Sequence, residues 1–135
     1  ITGVQLEVGS VATDFEHEAI STTLAKCQRY YYRITAHSTS IAFGQGYCQD
    51  STTVRSRMQF PVNMRAIPTG DDSAGTGFSV NVPAGRIAGT AMSASGSSTF
   101  MATMIVTVSS GLTTGQGATL EIDTATDWVE WRAEL

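Results

Sequence analysis

Lysine is nearly missing from this 135-residue chain: Lys26 stands alone, and Asp, Glu, Lys and Arg together make up only 15% of the sequence. The exposed faces of a helical bundle draw on Glu, Lys, Gln and Arg, so this shortage argues against one. With a net charge of −4, there is also no general electrostatic case for binding DNA or RNA. Long apolar runs are absent too. The best of them, Phe100–Val108, is about half of the ~18–20 residues a membrane-spanning helix requires, so no membrane insertion is expected. No basic segment with a following apolar stretch reads as a secretory signal. The chain opens at Ile1 inside what reads as a strand, as a piece of a longer polypeptide would.

Chemical signatures are equally scarce. The sequence has no G-x-S-x-G elbow, no H-E-x-x-H and no phosphate loop. Glycan cleavage needs two carboxylates roughly 5–10 Å apart, and among twelve acidic residues a chance pairing carries no information. No enzyme is expected. The two cysteines, Cys27 and Cys48, lack metal-ligand spacing and read as reduced, mostly buried thiols. His17 and His37 have no ligand partner at i+4. Asp71 and Asp72 are hard donors suited to Ca²⁺, but without the spaced ligand set of an EF-hand they read as part of a polar loop. No metal and no cofactor is expected.

Hydroxyl residues are abundant: 19 Thr and 14 Ser, with 13 Gly beside them. That balance fits a β protein with many turns. Alternation confirms the direction. Val54, Ser56, Met58 and Phe60 share one face against Arg55, Arg57 and Gln59. Phe78, Val80 and Val82 alternate with Ser79 and Asn81, and Ala118, Leu120 and Ile122 with Thr119 and Glu121. Val129, Trp131, Ala133 and Leu135 oppose Trp128, Glu130, Arg132 and Glu134. Further strands are expected over 2–8, 30–36, 41–47, 62–67, 86–93 and 100–108, with loops at 68–77 and turns at 95–98 and 111–117. One short helix, capped by Ser21 or Thr22, is expected through Leu24 and Cys27. Eight or nine short strands at this spacing predict one domain, an antiparallel β-sandwich of jelly-roll-like type.

Four patches carry a family resemblance: GVQLEVGSVATDFE (Gly3–Glu16), LAKCQRYYY (Leu24–Tyr32), NMRAIPT (Asn63–Thr69) and WRAEL (Trp131–Leu135). Their order resembles the C-terminal domains of bacteriophage tail fibre and tail spike proteins. The resemblance implies a strand and linker over 1–19, leaving a preceding stalk or module, and a terminal β-sandwich over 20–135. It implies a homotrimer on the virion, joined to upstream fibre domains and acting at the host cell surface. Its ligand would be a bacterial surface polysaccharide or lipopolysaccharide. Where such proteins often carry Pro-Pro, this chain has Ile67-Pro68, and the resemblance does not extend over 36–60 or 70–125.

Four residues are candidates for ligand contact. In the Tyr30-Tyr31-Tyr32 run, Tyr31 faces away from its neighbours; it either stacks a sugar ring or packs against protein. Trp128 shares its face with charges, whereas Trp131 shares one with aliphatic residues and belongs to the core. Arg55 and Arg57, with Arg65 nearby in sequence, either meet an anionic sugar or pair with carboxylates such as Glu130 and Glu134. Two other roles share this fold: a structural trimerisation cap without a ligand, and a carbohydrate-binding module of a secreted enzyme.

Overall fold

The computed structural model describes every residue except 1–3, 12, 15–16, 38–39, 74–75 and 135. Among the described residues, one helix, α1 (Ile20–Gln28), precedes nine strands. These are β1 (Tyr31–Thr35), β2 (Ile41–Cys48), β3 (Thr53–Gln59), β4 (Thr69–Asp72), β5 (Phe78–Val82), β6 (Gly85–Gly96), β7 (Met101–Val108), β8 (Gly117–Ile122) and β9 (Trp128–Arg132). Every pairing is antiparallel. The protein is all-β with one short N-terminal helix, as its alternation predicts.

The strands form one ladder, β1-β9-β4-β6-β5-β8-β2-β3-β7, and β7 returns to pair with β6. Six strands, β6-β5-β8-β2-β3-β7, thus close into a barrel, and β4, β9 and β1 extend from it as a wing. The long β6 makes this possible. It pairs with β5 over Gly85–Ala88, with β7 over Gly89–Gly96, and takes β4 at Ser95. Alternation specifies which face of a strand is buried, not which strands are neighbours. The sequence therefore predicts the inward residues well and is silent on closure.

Inside the barrel lie Val54 and Ser56 of β3, Phe78 and Val80 of β5, Met104 and Val106 of β7, and Leu120 and Ile122 of β8, all essentially without exposure. Ser56 is tolerated there because its hydroxyl donates to the Gln45 carbonyl at 2.8 Å. Beside it, β2 and β3 approach so closely that a Cβ on Gly46 would overlap the Arg55 carbonyl. The wing adds an aromatic group to the same core. Trp131 stacks on Tyr32 with centroids 6.2 Å apart and meets the edge of Phe60 at 5.6 Å. Its buried Nε1 has no hydrogen-bond partner among the described residues.

Several local expectations are corrected. Residues 4–8, the described part of the strand expected over 2–8, pair with nothing in the sheet. The cap position of α1 is Ala19, not Ser21 or Thr22; its carbonyl accepts from the amides of Thr22 and Thr23. The helix buries no residue, so Cys27 is exposed, while Cys48 is fully buried with its thiol pKa pushed up by desolvation. Residues 62–67 form a loop instead of a strand, pinned by Met64 N–H to Thr99 O and Arg65 N–H to Arg29 O, each 2.7 Å. Conversely, β4 occupies part of the expected 68–77 loop, and β6 runs through Gly96 where a turn was expected. The last strand stops at Arg132 in regular pairing, and Leu135 lies outside the described residues.

Candidate functional site

On the outer face of the barrel, β2 and β3 oppose Gln45 to Arg57 and Tyr47 to Arg55. Directly opposed residues in antiparallel strands point the same way, so these four side chains stand as a box over the backbone of Gly46 and Ser56. With Thr103 of β7 they line a depression of about 370 Å³. Arg55 donates from Nε to Gln49 Oε1. Among the described residues no carboxylate lies within ion-pair reach of either Arg55 or Arg57. The expected pairing with Glu130 or Glu134 is not made, because Glu130 is on the wing and is engaged there. Arg65 is also elsewhere: its guanidinium lies 5.6 Å from the Tyr30 ring centroid.

Tyr31 and Trp128 occupy the wing's outer face. Tyr31 opposes Arg132 on β9, and Trp128 opposes Thr35 on β1. Between them lies Glu130, which the alternation pattern places among exposed charges but which is only 2% exposed. Its carboxylate accepts from the Tyr31 hydroxyl at 2.5 Å and from Arg132, and Arg33 stands 3.9 Å away. Burial, and then this bond to Glu130, push the Tyr31 phenol above its ordinary pKa. The bond to Glu130 likewise raises that of Arg132. Arg33 also lies over the Trp128 ring, 4.6 Å from its centroid. Trp128 is thus half-buried and already stacked by a neighbour.

The register links the two regions. Opposed residues run Tyr31, Arg132, Thr69, Ser95, Thr103, Arg57, Gln45, Thr119, Asn81 and Arg86, a polar row crossing all nine strands. It contains three arginines and no carboxylate. Arg132 and Arg86 are paired from the side, by Glu130 and by Glu121 and Asp123. Arg57, in the middle, is not. Five inter-strand steps separate Tyr31 from Arg57, about 24 Å at ~4.8 Å each along the curved surface. The four predicted contact residues therefore form two pairs, not one site.

Asp71 and Asp72 sit on β4, not on a loop. Asp72 is partly buried, and desolvation, helped by the neighbouring charge of Asp71, raises its pKa. Among the described residues no group of three or more His, Cys, Asp or Glu is placed to hold a metal ion. Sequence reasoning missed Gln45, Tyr47 and Thr103. The signal for Gln45 and Tyr47 lay in the alternation of β2, obscured by Gly44 and Gly46, whereas Thr103 lies on a strand that is apolar on both faces apart from its threonines. Comparison with protein-family models, with curated proteins and with solved structures finds no match to this chain.

Proposed function

We propose that this protein is a non-catalytic adhesion module at the end of a bacteriophage tail fibre or spike. In this reading it binds a bacterial surface polysaccharide or lipopolysaccharide and works as a homotrimer on the virion. One observation carries the binding part: the depression walled by Gln45, Tyr47, Arg55 and Arg57. It presents guanidinium, amide and phenol groups without ion-paired partners, the set that recognises oxygen-rich, charged ligands. Its lining holds no carboxylate for acid–base work, which fits binding without turnover. A barrel whose two halves face each other across one core also suits the jelly-roll-like description the sequence suggests. Weak single sites would be offset by trivalency through effective concentration. An array of bacterial surface glycans, probed with oligomeric protein, tests this reading. Selective signal on a subset supports it, and a flat response across the array defeats it.

A second reading, a structural trimerisation cap, draws on the N-terminal segment. Val4, Leu6, Val8 and Ile20 are between 74% and 108% exposed, apolar surface that a neighbouring protomer would cover. Sedimentation at micromolar concentration tests the cap: folded monomers throughout would remove it.

A further inference from the structure

The arginine-walled depression does not stand alone. A second hollow of about 270 Å³ adjoins it through Gln45 and Arg57, and a third of about 460 Å³ through Gln45 and Gly46. The second and third also share Thr119. As neighbours with shared lining residues, the three hollows trace an open channel over four adjacent strands, β3-β2-β8-β5. Three inter-strand steps make it roughly 14 Å long, the reach of a short oligosaccharide and too long for a single sugar.

The channel has a direction. At its β3 end stand Arg55 and Arg57, two residues apart on one face and so ~6.7 Å apart along the strand, with no carboxylate in reach among the described residues. At its β5 end, Asn81 donates to Glu121, whose charge is met by Arg86 at 3.3 Å. One end is cationic; at the other, the Glu121–Arg86 pair balances its own charge beside the Asn81 amide and the Thr119 hydroxyl. Charge complementarity therefore selects the occupant.

Resting on the glycan-binding reading above, we infer that this channel takes an anionic oligosaccharide lengthwise. A carboxylate or phosphate substituent sits on Arg55 and Arg57, and uncharged rings lie over Gln45, Thr119 and Asn81. Bidentate guanidinium contact fixes the charged unit, and the polar groups along β2, β8 and β5 fix the run of the chain.

Titration by NMR and calorimetry tests the inference. The probes are oligosialate and oligogalacturonate of increasing length, the phosphorylated core oligosaccharide freed from lipopolysaccharide, and neutral maltooligosaccharides. At least one acidic series should bind, tighten with length until the channel is filled, and shift the amides of β2, β3 and β8. Whether the carboxylated or the phosphorylated probe binds decides the anion. Arg55→Gln and Arg57→Gln should each weaken binding roughly tenfold or more. Thr119→Ala with Asn81→Ala should abolish the gain with length while leaving short acidic probes bound. Unchanged affinity in both arginine variants overturns the site, whichever sugar binds. Neutral chains binding as tightly as acidic ones overturn the charge selection and leave glycan adhesion intact. Silence from every probe, with a flat glycan array, removes both.

Discussion

On the wing, Arg33 and Arg132 converge on the buried carboxylate of Glu130; on the barrel, Arg55 and Arg57 have only amide, phenol and hydroxyl groups for company. The same residue type thus serves two ends in one small protein. Where a carboxylate is buried, the guanidiniums compensate its lost hydration and the cluster holds two strands in register. Where none is present, the guanidiniums contribute little to the fold and keep their hydrogen-bonding capacity for something else. A charged side chain is informative about binding only after its partners have been counted.

Substitutions at five positions sharpen this contrast. The largest effect belongs to the wing core: Trp131→Ala should cost about 3–5 kcal/mol in urea unfolding. Trp131→Phe should cost clearly less, since it also removes the buried, unpartnered indole N–H. Next, Glu130→Ala should lose ~2–3 kcal/mol, at the low end for a broken buried pair because Arg33 and Arg132 are partly exposed. Arg57→Ala, by contrast, should stay within about 0.5 kcal/mol. Equal losses at Glu130 and Arg57 would erase the distinction between wing and barrel arginines.

Tyr31→Phe removes the hydroxyl bonded to Glu130 and should cost ~1 kcal/mol near neutrality. The folded-state pKa of Tyr31 lies above its unfolded value, so its contribution is full below about pH 10 and is lost as pH rises through the folded value. The gap between the natural chain and the variant should therefore close in strongly alkaline solution; a constant gap would contradict the assignment. Smallest is Asp72→Asn. Because its folded-state pKa is raised, ionisation of Asp72 opposes folding above pH ~4, and the variant should gain a few tenths of a kcal/mol at pH 7 and nothing at pH 3.

Much of the barrel was legible beforehand. The inward faces of β3, β5 and β8 in the barrel and of β9 in the wing follow from alternation, as does the opposition of Tyr31 and Tyr32 and the burial of Trp131. The errors have a common cause in tertiary context. Thr69-Gly70-Asp71-Asp72 has the composition of a turn, yet pairing with β9 makes it a strand. Residues 62–67 have strand-like side chains, yet their backbone donors go to Thr99 and Arg29. The candidate site was half visible. Arg55 and Arg57 could be read from their own strand, but Gln45 and Tyr47 join them only through a pairing that no local pattern encodes. Glu130 looks like any solvated acid until β1 brings Arg33 and Tyr31 against it.

Closure of the ladder leaves β1 as its terminal strand, five residues long, with Arg33 at its centre and the outward Tyr31 tied down by Glu130. Among the described residues the ladder ends at this short, charge-bearing strand, a poor template for a foreign strand seeking to extend the sheet. Copies of the domain can therefore meet in concentrated solution without their sheets knitting together at this strand.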